Sequence, residues 1–234
     1  KTTHMTKKYS LTLFVSIIFF AACIVGKKVS AQSIPSLKET FKNDFLIGAA
    51  INAEQIEEKD TAADMLIKQQ FNAVTPENIM KAEIIHPAWS SYNFDLADKL
   101  VAFAQRNDMK LNAHNLIWHS QLPAFMRNMQ SADSVKQYFE NHITTVASRY
   151  DGKVYSWDVV NEAVNDNDSG FLRNSLWYRI CGEDFIAKAF EYAHAADPGA
   201  VLFYNDYNTE KPGKRERIYK LLKQLIDAKV PVNA

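Results

Sequence analysis

The chain has 234 residues, of which 47% are hydrophobic and 23% are charged, and its formal net charge at pH 7 is zero. This is the composition of a soluble globular protein, and the length is sufficient to bury a sizeable core. A balanced charge provides no attraction for a nucleic acid or an anionic membrane surface, so we expect neither as a partner.

The first 31 residues have the features of a secretory signal peptide. They hold five of the 27 basic residues and no acidic residue, which leaves 22 basic against 27 acidic residues in the rest of the chain. Lys7 and Lys8 precede the apolar run LTLFVSIIFFAACIV, and small residues up to Ala31 provide a cleavage site. The run of 15 residues is short for a membrane span, which needs about 20 residues. We therefore predict a secreted or periplasmic protein without a membrane span, with lipoprotein anchoring at Cys23 as the alternative.

Strand-like and helix-like segments alternate along the rest of the chain. Apolar runs predict strands at 45–51, 72–78, 109–119, 154–160 and 200–208. Apolar residues at three- and four-residue steps predict helices at 61–71, 95–108, 134–150, 182–197 and 213–229. We expect the third helix to open with a capping box from Ser134 to Gln137. Residues 230–234 have the composition of the start of a sixth strand.

The alternation of strands and helices determines the predicted fold class. Strand and helix recurring at intervals of roughly 30–45 residues predict right-handed βαβ units and a parallel sheet. Neither GxGxxG nor GxxxxGK[ST] is present, which argues against a nucleotide-binding sheet. We therefore predict an α/β fold of the (β/α)8 TIM-barrel type, which typically takes about 250 residues. We expect a signal peptide at 1–31, a linker at 32–40, and an incomplete barrel at 41–234, with about five βα units and the start of strand 6.

Polar and aromatic residues lie at or just after the carboxyl ends of four of the predicted strands, at the barrel edge where active sites are built. In chain order they are Glu77, Asn78 and Lys81; His114, Trp118, His119 and Gln121; Asn161 and Glu162; Asn205 and Tyr207. Amides and carboxylates form hydrogen bonds with sugar hydroxyls, and flat aromatic rings pack against pyranose faces. This mixture favours a carbohydrate ligand, whereas a phosphate would call for arginine and glycine-rich backbone.

A catalytic metal is a weaker interpretation of the same residues. His114, His119 and Glu162 offer ligand atoms, but their spacing matches no known ligand set. We expect neither a metal nor another cofactor.

Some conspicuous residues have a structural explanation. We expect Trp157, which lies inside the fourth strand, to be a core aromatic residue, and His142 to pack on the apolar face of its helix. The charged run of Lys214, Arg215 and Arg217 is expected to form a solvated helix face.

Four segments, in their order and spacing, resemble the family 10 glycoside hydrolases, which are chiefly endo-β-1,4-xylanases. The segments are FNAVTPENIMKAE, HNLIWHSQLP, WDVVNEA and LFYNDYN, and the resemblance runs from about Phe41 to the last residue. The family fold is a (β/α)8 barrel, in agreement with the architecture predicted from the alternation of elements. The resemblance implies a retaining enzyme that acts on xylan or xylo-oligosaccharides, and we expect this enzyme to be secreted and monomeric.

The resemblance also implies roles for individual residues. Glu162 corresponds to the general acid/base, Asn161 would bond the sugar 2-hydroxyl at the cleavage subsite, and His114 and Trp118 would line that subsite. The other implied positions are Glu77, Asn78, Lys81 and Gln121 around the next sugar on the non-reducing side, and Asn205 and Tyr207 toward the leaving-group side.

A retaining mechanism, which preserves the configuration at the sugar's anomeric carbon, also needs a second carboxylate as nucleophile. This carboxylate lies about 5–5.5 Å from the first. In the family this is a glutamate after strand 7. We therefore expect the nucleophile beyond Ala234, and we expect these 234 residues alone to be inactive.

Two other functions fit the same residues. A non-catalytic xylan-binding or carbohydrate-binding protein would keep the cleft without the nucleophile. A sister β-glycanase acting on cellulose or mannan would share the Asn-Glu pair after strand 4, because that pair recurs across related barrels.

Overall fold

A computed structural model describes residues 34–167 and 170–233. The predicted signal peptide and Cys23 lie outside the described residues. The chain from Ser36 onward forms one compact unit. Within the predicted linker, residues 37–40 form a short helix that is capped by the Ser36 side chain.

The described residues contain ten helices and five strands. The helices are α1 (Leu37–Thr40), α2 (Ala53–Ile56), α3 (Thr61–Gln70), α4 (Ala82–Ile85), α5 (Asp95–Arg106), α6 (Ala124–Arg127), α7 (Ala132–Arg149), α8 (Leu176–Cys181), α9 (Phe185–Ala196) and α10 (Pro212–Asp227). The strands are β1 (Gly48–Ile51), β2 (Ala73–Pro76), β3 (Lys110–Trp118), β4 (Ser156–Asn161) and β5 (Val201–Asn205). None of these helices is long and apolar enough to cross a membrane.

The strands form one parallel sheet in the order β1-β2-β3-β4-β5. Helices connect consecutive strands, so all carboxyl ends lie at the same edge, as predicted. The pairing register shifts once within β3, between His114 and Ile117, and once within β4, between Asp158 and Val160. Such irregularities change the direction of nearby side chains, and both lie close to the carboxyl ends of their strands.

The core lies between the sheet and the helices, and β4 is the most completely buried of the strands. All six residues of β4 are buried, as expected of a parallel strand that is covered on both faces. Trp157 is fully buried and donates its indole N–H to Asp197 Oδ2 at 2.9 Å, so the prediction of a core tryptophan is confirmed. His142 is also fully buried, and its ring stacks on Tyr138, which confirms its packing role.

The predicted start of the third long helix is wrong. α7 begins at Ala132, and the hydroxyl of Ser131 accepts the hydrogen bond from the Ser134 backbone N–H at 3.3 Å. Two serines lie three residues apart, and the earlier one caps the helix. The acidic Asp133 then falls in the first turn, where the helix dipole favours a negative charge.

Residues 230–233 do not form the predicted sixth strand. Asn233 donates its backbone N–H to Leu202 O at 2.9 Å, and its side-chain Oδ1 accepts from Leu202 N at 2.7 Å. A side-chain oxygen thus replaces one of the main-chain partners that a ladder requires. The segment lies beside β5, where the next parallel strand of a barrel would lie.

Candidate active site

The residues after β2 and β3 contact one another at the carboxyl edge of the sheet. Glu77 and Asn78 are exposed there. Asn78 Oδ1 accepts a hydrogen bond from Lys81 Nζ at 3.0 Å, and Gln121 Nε2 lies 3.5 Å from the same oxygen. The structure therefore brings Asn78, Lys81 and Gln121 together, three of the four polar residues that the resemblance assigns to the next sugar.

Trp118 connects this group to Glu162. The Lys81 ammonium lies 4.8 Å from the centroid of the Trp118 ring, a cation–π arrangement. The indole N–H of Trp118 donates to Glu162 Oε2 at 2.9 Å. Burial lowers the pKa of Lys81, and the negative charges of Glu162 and Glu77 oppose that shift. The two glutamates are therefore close enough to Lys81 to stabilise its charge.

The backbone of Glu162 has a conformation that is rare outside glycine. Its φ is 56°, which lies in the left-handed region. The Glu162 N–H donates to Asn205 O at 2.8 Å, and the Glu162 carbonyl accepts from Arg173 Nε at 3.1 Å. Such backbone strain persists only where surrounding contacts enforce it, and it is concentrated at functional sites.

His114 is held by a carboxylate inside β4. Its Nδ1 lies 2.7 Å from Asp158 Oδ2, and Asn112 Nδ2 donates to the same oxygen at 3.2 Å. Because a carboxylate only accepts hydrogen bonds, Nδ1 is the donor in this contact, and the other ring nitrogen, Nε2, is left for a second partner. Asn115 Nδ2 lies 3.3 Å from that Nε2. Asp158 was not predicted as a site residue, although a lone acid inside a buried strand was the signal for it.

Asn161 is positioned by its neighbour on β5. Asn205 Nδ2 donates to Asn161 Oδ1 at 2.8 Å, and Asn161 is 3% exposed. The Asn161 side-chain oxygen thus accepts from a neighbour within the site, whereas its amide nitrogen is a donor. Asn205 itself is exposed at the end of β5.

Lys214 is buried, and the prediction of a solvated side chain was wrong. The residue is 2% exposed. Its ammonium donates to Val164 O at 2.8 Å and pairs with Asp166 Oδ1 at 2.9 Å and Asp206 Oδ1 at 3.0 Å. Two carboxylates and a carbonyl offset the cost of burying the charge. The prediction of exposure holds for its neighbour Arg215.

The partly exposed residue Arg217 does not belong to a fully solvated face either. Its guanidinium donates to Asn165 O at 3.2 Å, on the loop that follows β4. The first two turns of α10 therefore contact this loop through Lys214 and Arg217.

Tyr207 joins the same loop to the end of β5. Its hydroxyl donates to Asp166 Oδ2 and accepts from Arg173 Nη2 at 3.2 Å, while 40% of the residue stays exposed. Burial opposes ionisation of Asp166, but hydrogen bonds from Tyr207, Lys214 and Arg173 hold its pKa well below the usual range. Arg173 and Asp166 were not predicted, because nothing in their spacing relates them to a strand end.

Trp177 supports the site from α8. Its indole N–H donates to Trp118 O at 2.8 Å, and the residue is 2% exposed. The two residues are 59 positions apart, so no local pattern could have related them.

The histidines at the site do not form a metal centre. Among residues 34–167 and 170–233, no group of three His, Cys, Asp or Glu side chains is arranged to hold a metal ion. His119 Nδ1 is buried without a hydrogen-bond partner in this part of the chain. Burial lowers the pKa of His119, and the positive charge of Arg173 adds to that effect.

A parallel sheet with carboxylates, amides and aromatic rings at its carboxyl edge is the arrangement of a β/α-barrel carbohydrate-active protein. Comparison with known proteins gives the particular family. The model of Glycosyl hydrolase family 10 matches residues 36–234, and the chain belongs to this family.

Relatives and solved structures agree with that assignment. The chain is 46% identical over 223 residues to a β-1,4-xylanase of Dictyoglomus thermophilum, covering 95% of this chain and 62% of the relative. It is 42% identical to a family 10 endoxylanase structure retrieved from a sugarcane soil metagenome, with a TM-score of 0.80 and coverage of 85% and 59%. Xylanase 10B of Thermotoga petrophila RKU-1, solved with xylobiose, is 40% identical, with a TM-score of 0.80 and coverage of 86% and 62%.

This similarity confirms the predicted fold class. The fold is that of a (β/α)8 barrel, and the described residues contribute five of its parallel strands. The chain spans less than two thirds of the length of each of these relatives.

Proposed function

We propose that the protein is an endo-β-1,4-xylanase that cleaves internal bonds of xylan with retention of configuration, and that Glu162 is its general acid/base. The observation that carries the proposal is the Glu162 carboxylate, which lies at the carboxyl end of β4 and is oriented by the Trp118 indole. Family membership and the xylanase names of the relatives support xylan as the substrate.

The contacts of Glu162 suit both steps of a retaining mechanism. In the first step the carboxyl group protonates the glycosidic oxygen, and in the second its carboxylate removes a proton from water. Trp118 occupies Oε2, so Oε1 is the oxygen for proton transfer. The rigid strand and the left-handed backbone at residue 162 keep that oxygen in one place.

The surrounding side chains are proposed to hold the sugars. The N–H groups of Asn161 suit the 2-hydroxyl at the cleavage subsite, and His114 and Trp118 line that subsite. The next sugar on the non-reducing side is proposed to contact Glu77, Asn78, Lys81 and Gln121, and the leaving-group side Asn205 and Tyr207. Hydroxyl groups both donate and accept, so a mixed set of amides, carboxylates and an ammonium can bond them.

The nucleophile is proposed to lie outside residues 1–234. The other carboxylates near the ends of β4 and β5 already have cationic or imidazole partners: Asp158 bonds His114, while Asp166 and Asp206 pair with Lys214. Asp206 is also held by the Tyr204 hydroxyl at 2.5 Å. We therefore expect no turnover of xylan by the 234 residues alone; turnover abolished by Glu162→Ala would contradict this part of the proposal.

The acid role is tested by leaving-group dependence in the whole protein. We expect Glu162→Ala to lower kcat/KM for xylan by about 10²–10⁴-fold. We expect a much smaller loss for an aryl xylobioside whose leaving group needs no protonation. The exposed Glu183→Ala is the matched control, and it should leave both substrates unchanged. Equal losses on the two substrates would contradict the acid role of Glu162.

The same assay separates the other candidate functions. Reducing-sugar release is measured on xylan, cellulose and mannan side by side. Release from cellulose or mannan in preference to xylan would indicate a sister β-glycanase. Binding of xylan without release by the whole protein would indicate a non-catalytic binding protein.

We also propose that residues 1–31 direct export and that the mature protein is a monomer. The apolar run and the small residues before position 32 support export. The mass of the mature protein distinguishes cleavage after Ala31 from lipid attachment at Cys23. Light scattering during size-exclusion chromatography measures the oligomeric state.

A further inference from the structure

The main chain of Glu162 is held from two sides by different segments. Its N–H donates to Asn205 O at the end of β5, at 2.8 Å. Its carbonyl accepts from Arg173 Nε at 3.1 Å, from the loop that follows β4. A non-glycine residue at a φ of 56° relaxes readily unless such contacts hold it. The position of the Glu162 carboxyl therefore depends on Arg173 as well as on the strand.

Arg173 is itself fixed in place. Its Nη2 lies 3.0 Å from Asp166 Oδ2 and 3.2 Å from the Tyr207 hydroxyl, and its backbone N–H donates to Ala163 O at 2.7 Å. Only 21% of the Arg173 side chain is exposed. One planar guanidinium thus contacts the Glu162 carbonyl, a carboxylate and a phenol. A lysine ammonium cannot reproduce this arrangement, because its three donors diverge from a single atom.

The partner of Arg173 is anchored from a third segment. Asp166 Oδ1 pairs with the buried ammonium of Lys214, which also donates to Val164 O. Burial opposes the charge on Arg173, while hydrogen bonds to Tyr207 and Asp166 raise its pKa above the usual value. The guanidinium is therefore charged and held between the loop after β4 and the end of β5, and its partner Asp166 is paired with Lys214 at the start of α10.

We propose that Arg173 is a positioning residue for the general acid/base, which holds the Glu162 peptide so that the carboxyl points at the scissile oxygen. This inference rests on the proposed function. Without the Nε donor, the Glu162 carbonyl can rotate and carry the carboxyl with it. Misplacing a catalytic group by about 1 Å can cost roughly 10²-fold in rate.

The test compares Arg173→Met and Arg173→Lys in the whole protein with the control Arg179→Met. Arg179 is exposed and also donates to a main-chain carbonyl, Asn174 O at 3.0 Å, but it does not contact Glu162. We expect Arg173→Met to lower kcat/KM for xylan about 30–100-fold and for an activated aryl xylobioside less than about 5-fold. Arg173→Lys keeps a cation beside Asp166, which preserves folding, and should still show the selective loss. The control should change neither substrate by more than about 2-fold.

Leaving-group selectivity separates positioning from a structural role. A purely structural role would lower the folded fraction and so reduce activity on both substrates by the same factor. If each Arg173 variant loses as much activity on the aryl xylobioside as on xylan, the inference is overturned. Wild-type activity in both variants would overturn it as well. A different result would contradict the proposed function, namely that Glu162→Ala loses no more activity on xylan than on the aryl xylobioside. Selectivity in Glu162→Ala together with none in the Arg173 variants would refute only the role of Arg173.

Discussion

Replacing Lys214 with methionine tests whether its buried ammonium stabilises the barrel end. The Lys214 and Asp206 side chains are only 2% and 1% exposed, so the substitution leaves the Asp206 carboxylate buried without its cation. The Asp166 side chain is 34% exposed and still pairs with Arg173, so losing its contact with Lys214 adds little to the loss of stability. Removing one partner of a buried ion pair costs about 3–5 kcal/mol. We expect a loss of about that size in the free energy of unfolding.

Urea unfolding at pH 7 measures this loss, with Arg215→Met as the matched control. Arg215 is the next residue, its side chain is 57% exposed, and it pairs with the exposed Glu216 at 3.6 Å. We expect the control to change stability by less than about 0.5 kcal/mol. Adding Asp206→Asn to Lys214→Met should recover part of the loss, since it removes the uncompensated charge. A Lys214→Met cost no larger than that of the control would refute the assignment of a buried ion pair.

Two further predictions concern the core. Burial lowers the pKa of His142 to about 3, so between pH 6.5 and pH 3 the unfolded chain binds more protons and stability falls as the pH falls. Lowering the pH from 7 to 5 should reduce the free energy of unfolding by about 2 kcal/mol through this residue. Urea unfolding at both pH values should show a smaller reduction in His142→Asn than in the wild type. An equal reduction in the two proteins would exclude His142 as the cause. Trp157→Phe leaves buried Asp197 Oδ2 without its indole donor and should cost about 2–3 kcal/mol in urea unfolding. The exposed Trp89→Phe is its control, and equal effects of the two substitutions would contradict this prediction.

The strands were predictable because apolar residues are concentrated in each of them between more polar segments. β4 shows this most clearly, since every one of its residues is buried. The six-residue helix α8 was missed, because a single turn and a half carries too short a pattern to be recognised. The start of α7 was misplaced because Ser131 and Ser134 both suit a cap, and only the backbone geometry decides between them.

The candidate site was predictable where its residues lie in or just after the carboxyl-terminal half of a strand. Parallel topology brings the carboxyl ends to one edge, so Glu77, His114 and Glu162 could be grouped without a structure. The burial of Lys214 could not be predicted, because a run of charged residues is usually solvated. Only the orientation of the first turn of α10 directs this ammonium inward.

Arg173 and Asp158 show the same limit for residues that support the site. Each contacts a predicted site residue through one hydrogen bond, Arg173 the Glu162 carbonyl and Asp158 the His114 ring. Such contacts depend on loop conformation and on strand register, which periodicity does not encode.

A crystal structure of the whole protein carrying Glu162→Gln, with xylotetraose bound, tests the central claim most directly. The substitution keeps the shape of the side chain and removes its acidity. The assignment of Glu162 as general acid/base predicts a sugar chain across the carboxyl edge of β2 to β5, with one glycosidic oxygen about 2.6–3.2 Å from the residue 162 side chain. Xylotetraose bound on another face, or no glycosidic oxygen within reach of residue 162, would contradict it.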